Sequence, residues 1–166
     1  MRRAAIGWSV MMTGCLVAGM VAQTTPNLSG TWTLVPDPNA PQAAGRGRGG
    51  GMFGGLGTTA TIAQDAKTLT ITRTTQAGEV KSVYNLDGSD SPNTMTFGEN
   101  SIQLVSKAKW DAGKLSITTS SNFNGNAFET TMRLSLEGGN LVVESTRPDF
   151  QGGGAPVTTK MTYKKV

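Results

Sequence analysis

Residues 27–37 read Asn-Leu-Ser-Gly-Thr-Trp-Thr-Leu-Val-Pro-Asp, NLSGTWTLVPD. Leu28, Gly30, Trp32 and Leu34 alternate with Ser29, Thr31 and Thr33. Side chains along a strand point to opposite faces in turn, so this stretch predicts a strand with one apolar face centred on an indole. Pro36 ends it. The stretch that decides the fold is therefore short, and its Gly-x-Trp is the feature that needs explaining.

Downstream the same alternation recurs between turn signals, and helical spacing is nearly absent. It predicts strands over Leu28–Val35, Thr59–Gln64, Thr68–Thr74, Val80–Leu86, Asn93–Phe97, Ile102–Trp110, Lys114–Ser121, Ala127–Leu136, Asn140–Thr146 and Val157–Lys165. Asp65-Ala66-Lys67, Gln76-Ala77-Gly78, Asp111-Ala112-Gly113 and Gly138-Gly139 are tight links, and 86–92 (LDGSDSP) reads as a longer one. Sequential hairpins imply antiparallel pairing throughout. Each strand has one apolar face and no helix is available to cover it, so closure removes the exposed edges. The expected fold is all-β: a single up-and-down antiparallel meander barrel of about 8–10 strands, preceded by an N-terminal signal helix. Two segments stand outside the meander. Residues 39–57, including GRGRGGGMFGGLG, read as a long flexible loop in which Met52, Phe53 and Leu56 could cover a barrel mouth. Gly152-Gly153-Gly154 is a shorter version.

Upstream, Arg2 and Arg3 precede an apolar or small run from Ala4 to Val21, the pattern of a secretory signal peptide over 1–23. The domain is then 24–166, one domain's worth of chain. Met12-Thr13-Gly14-Cys15 is similar to a lipoprotein signal, but the apolar run continues past Cys15 where a polar tether would begin. The preferred reading is a secreted, periplasmic or extracellular protein without a lipid anchor, with no disulfide and no stable membrane span after signal removal. Without Arg2 and Arg3 the balance is 13 basic against 11 acidic residues, so net charge falls from +4 to +2. That field is too weak to argue for nucleic acid, and Arg46 and Arg48 in the Gly-rich loop lack a stacking array. A monomer is expected.

Gly30-x-Trp32 opening a meander resembles the lipocalin and fatty-acid-binding superfamily, in which the Trp packs beneath the barrel floor. GTWTLV, TLTITRTT, GKLSITT and the closing TKMTYKKV fall where the lipid-binding branch has strands, and the whole is similar to secreted bacterial lipocalin-like proteins of unassigned function. The resemblance implies an interior that holds a small apolar or amphipathic molecule. In that branch interior Arg and Tyr residues near the chain end hold a ligand carboxylate. Tyr163 matches the Tyr, Met161 stands in place of the Arg, and Arg133 near the second Arg position falls on the outer face by alternation. The chain also has the Gly-rich loop where that branch has two short helices.

The residues themselves limit the chemistry. The chain has no His, which removes a Ser-His-Asp triad, a Cys-His pair and a His-ligated metal. Asp87-Gly88-Ser89-Asp90 reads as a turn rather than a calcium loop, and Glu129 and Glu144 point outward without forming an acid–base pair. No enzyme activity, metal or cofactor is expected. Cavity-lining candidates are Arg73, Tyr84, Trp110, Phe128, Met132, Met161 and Tyr163, with Gly30 and Trp32 closing the barrel. Arg73 shares the face of Leu69 and Ile71; it either points inward as an anchor for an acidic ligand or snorkels to solvent from the strand end. Small inward residues at Ala60, Ser106, Ala108, Thr130 and Thr159 leave room for a ligand. Against this stands a barrel filled by its own side chains, acting as a structural or protein-interaction module of the cell envelope.

Overall fold

The computed structural model describes residues 25–37, 55–75, 78–97, 100–123, 125–149 and 154–166. The expected signal peptide, Cys15, most of the Gly-rich loop with Arg46, Arg48, Met52 and Phe53, and Gly152-Gly153 lie outside them. Among the described residues run ten strands: β1 (Gly30–Leu34), β2 (Thr59–Gln64), β3 (Thr68–Thr75), β4 (Gly78–Asn85), β5 (Asp87–Phe97), β6 (Asn100–Asp111), β7 (Lys114–Phe123), β8 (Asn126–Glu137), β9 (Asn140–Arg147) and β10 (Val157–Lys165). Hydrogen-bonded neighbours follow the order β4-β3-β2-β1-β10-β9-β8-β7-β6-β5, every pair antiparallel. The first and last strands thus pair in the middle of the sheet, and the meander curls into a nearly closed barrel. No helix among the described residues is long and apolar enough to cross a membrane.

Closure is completed without a backbone ladder. Between β4 and β5 the Asn93 side chain does the work of a strand: Oδ1 accepts from Val83 N at 2.8 Å and Nδ2 donates to Val83 O at 2.9 Å. Ser91 Oγ accepts from Asn85 N at 2.8 Å, and Asn85 Nδ2 donates to Asp90 O at 3.0 Å. Two open edges are blunted by side chains. This corrects the expected loop over 86–92: β5 begins at Asp87, only Leu86 separates it from β4, and a register shift between Asp87 and Asp90 absorbs the DGSD turn residues. Pro92 fits in β5 because that strand has a ladder partner on one side only.

Alternation sorts the faces as the sequence predicts. Trp32, Ala60, Ile62, Leu69, Ile71, Leu115, Ile117, Leu134, Leu141, Val143 and Tyr163 form one buried cluster. Tight turns keep β8 and β9 in register, with Gly138 and Gly139 at φ +57 and +82, the left-handed pair that a two-residue hairpin turn requires. Asp65 shapes the β2–β3 turn: its Oδ1 accepts from the backbone N–H groups of Lys67 and Thr68 at 2.7 Å each, and its Oδ2 accepts from Thr68 Oγ1 at 2.8 Å.

The packing around Trp32 explains the Gly-x-Trp. Trp32 is 2% exposed, and its Nε1–H donates to Leu28 O at 2.9 Å. Gln64 clips the entering chain to β2, accepting from Leu28 N at 2.9 Å and donating to Pro26 O at 3.1 Å. Lys165, opposite Trp32 in the β1–β10 register, places its ammonium 5.7 Å from the indole centroid. To do so its side chain crosses over Gly30, where a Cβ would collide with Lys165 Cε and where φ is +144. The backbone conformation calls for glycine there, and a Cβ would in addition push the end of the Lys165 side chain aside.

Candidate functional site

Register turns the barrel interior into rows of side chains. Ser91 faces Ser106, Ser106 faces Thr119, and Thr119 faces Thr130, a stripe of hydroxyls across β5–β8. Within it Ser106 Oγ and Thr119 Oγ1 are hydrogen-bonded at 2.8 Å. On one side of the stripe lies the row Asn93, Leu104, Ser121 and Phe128; on the other, Ala108, Ile117, Met132, Ser145 and Thr159. Ser121 Oγ is buried with no partner among the described residues. Met95, Ile102 and Leu104 form a second apolar cluster separate from the main core. The interior is therefore packed with hydrocarbon around Trp32, with hydroxyls between two apolar regions on the β5–β8 wall.

Burial along these rows is uneven. Ile117 and Ala108 are fully buried, whereas Thr119, Phe128, Met132 and Met161 are half-buried and Thr159 is exposed, although register points all of them inward. These inward-facing side chains are the ones that their neighbours in the barrel leave partly uncovered.

The predicted site residues do not form one cluster. Tyr84 lies in the main core, and Trp110 packs against that core beside the β6–β7 hairpin turn. Phe128, Met132 and Met161 lie on the half-open wall, with Met132 facing Ile117 and Ser145 and Met161 facing Val143. Trp32 lies in the main core, and Gly30 lies against the Lys165 side chain. Arg73 is half-buried and turned inward: its Nη1 donates to Gly55 O at 3.0 Å, and its Nε is buried with no partner among the described residues. The inward reading of Arg73 fits this bond, since Gly55 is itself buried. Tyr163 is fully buried, accepting from Leu56 N at 3.3 Å and donating to Gly57 O at 3.1 Å. Burial pushes the Tyr163 hydroxyl up to about 12, with the Leu56 backbone hydrogen bond and the Arg73 charge pulling the other way.

Two features were missed. The end of the Gly-rich loop is inside the barrel: Leu56 is 1% exposed and part of the main core, which corrects its expected place as a cover over the mouth. The signal was available, since Leu56 is a large aliphatic residue three positions before β2. Sequence alone places only Ser106 and Thr130 of the hydroxyl stripe inward; Ser91 and Thr119 need the register. Arg133 lies outside as alternation predicts, opposite Glu144 in a groove of about 300 Å³ with Thr131, Thr146 and Thr158. Among the described residues no group of three or more His, Cys, Asp or Glu could hold a metal ion.

Among solved structures, the chain is similar to zebrafish ileal bile acid-binding protein complexed with cholic acid. The TM-score is 0.52 at 19% sequence identity, over 83% of this chain and 98% of the zebrafish chain. The fold is that of the lipocalin and fatty-acid-binding barrels. The match spans nearly the whole zebrafish chain, as a likeness of the complete barrel does. No protein-family model matches the chain, and no curated protein matches it.

Proposed function

We propose that this lipocalin-like barrel binds a small apolar or amphipathic molecule non-covalently in its interior, and that it does so as a secreted protein of the periplasm or the extracellular space. The observation that carries the reading is the accessible surface kept by the inward-facing Thr119, Phe128, Met132 and Met161 beside a wholly buried core. Thioether and phenyl surfaces favour an apolar body by desolvation, and the neighbouring hydroxyls suit a molecule that also carries oxygens. The bile acid held by the zebrafish barrel supports this class of ligand. The signal-like residues 1–23 support export.

Native mass spectrometry of the protein purified from its own host tests the reading. A complex with a co-purifying small molecule supports it. A clean apo mass, together with no binding of amphiphiles added in solution, overturns it. The second reading, an envelope module with a filled core and no ligand, is favoured by one observation: Leu56 of the chain itself occupies the barrel.

A further inference from the structure

The three residues Gly55, Leu56 and Gly57 lie across the inner face of the barrel, and the strand order explains how. β3 and β10 flank the β1–β2 pair, and each sends one polar side chain to this segment. Arg73 from β3 donates to Gly55 O at 3.0 Å; Tyr163 from β10 bonds both Leu56 N, at 3.3 Å, and Gly57 O, at 3.1 Å. Ala60, a small residue in register with both Trp32 and Arg73, belongs to the same buried cluster as Leu56. An apolar group held between two carbonyl oxygens, one on a guanidinium and one on a phenol, has the outline of an amphiphile in a site.

The hold leaves Arg73 incompletely satisfied. Arg73 faces a neutral carbonyl while its Nε has no partner among the described residues. The Lys107–Asp90 and Lys160–Glu137 ion pairs are exposed and lie away from Arg73. A half-buried guanidinium is better satisfied by an anion with two oxygens, which it can engage through parallel N–H···O bonds.

We propose that Gly55-Leu56-Gly57 is an intramolecular occupant of the binding site, displaced when an acidic amphiphile puts its acid group on Arg73 and its apolar body where Leu56 lies. The inference rests on the ligand-binding reading above. It makes the site self-inhibited in the free protein: apparent affinity is lowered by the fraction of molecules in which the segment is out of the way.

Calorimetric titration of dodecanoate and dodecanol into the wild type, Leu56→Ala and Arg73→Met tests it. An out-state populated at about 10% predicts that Leu56→Ala binds dodecanoate about tenfold more tightly than wild type. Arg73→Met should lose the preference for dodecanoate over dodecanol and keep dodecanol binding. Tyr163→Phe, which releases the segment without opening a hole, should reproduce the tighter binding and serves if Leu56→Ala does not fold. Unchanged or weaker dodecanoate binding in folded Leu56→Ala or Tyr163→Phe overturns the occupant, since Leu56 is then only core. A retained acid preference in Arg73→Met overturns the role of Arg73. If neither amphiphile binds any of the proteins, the ligand-binding reading fails and takes this inference with it; if dodecanol binds all of them alike and dodecanoate no better, only this inference fails.

Discussion

Replacing Gly30 by Ala tests the explanation of the Gly-x-Trp. At φ +144 an L-residue sits in a region populated almost only by glycine, at a cost of about 1–3 kcal/mol. The new methyl also meets Lys165 Cε, and moving that side chain forfeits the contact of its ammonium with Trp32, worth roughly 0.5–1 kcal/mol at an exposed site. Reduced freedom in the unfolded chain returns about 0.4–1 kcal/mol. The sum is a net loss of about 2 kcal/mol, or roughly 4–8 °C in Tm for a domain of this size. Thermal and urea unfolding followed by circular dichroism reads it. In a Lys165→Ala background the same substitution should cost about 0.5–1 kcal/mol less, because the displaced contact is already gone. A Gly30→Ala protein within about 0.5 kcal/mol of wild type, the scatter of ordinary surface substitutions, refutes the reasoning.

Three further outcomes are expected. The Asp65 carboxyl is held below its ordinary value of 3.8, first by the Lys67 backbone N–H and then by Thr68, so its contribution is present above that value and lost as pH falls through the lower folded one. Asp65→Asn should therefore differ from wild type in Tm at neutral pH, with the two converging in acid; a constant difference down to pH 2 contradicts this. Tyr163, raised from 10.0 to about 12, stabilises fully below pH 10 and loses that contribution between pH 10 and 12. In a Tyr84→Phe protein the tyrosinate absorbance should rise near pH 12 and coincide with unfolding, whereas a titration centred at 10 in the folded state would refute the burial argument. Asn93→Ala should open the β4–β5 seam at a cost of about 1 kcal/mol, seen as roughly fivefold faster hydrogen exchange at the Val83 amide. Unchanged exchange there would mean that the side-chain closure contributes nothing.

Much of the architecture is legible in the residues because a period of two leaves little choice. Once Leu69 and Ile71, or Leu115 and Ile117, are assigned to one face, the rest of each strand follows, and two-residue turns such as Gly138-Gly139 fix which strands pair. The DGSD stretch misleads for a physical reason. Its turn-forming residues are accommodated by a register shift within β5, while Asn93 and Ser91 supply bonds that would otherwise come from a neighbouring backbone. No alternation rule reports a side chain acting as a strand.

The interior is less legible than the walls. Alternation places Arg73 and Tyr163 inward but does not say what they meet, and what they meet is the chain's own Gly55–Gly57. Glycine-rich sequence carries no periodicity, so the burial of Leu56 could be inferred only from its being a large aliphatic residue next to β2. The hydroxyl stripe depends on the register of four strands, a long-range property that each strand by itself does not encode.

The most direct test is a methyl NMR titration with an amphiphile such as dodecanoate. The binding account predicts that the Met132 and Met161 methyl resonances, inward and half-buried, shift in a saturable way while those of the outward-facing Val83 and Val105 hold still. Shifts confined to the outward-facing methyls, or no shift with any amphiphile offered, would contradict a ligand inside the barrel.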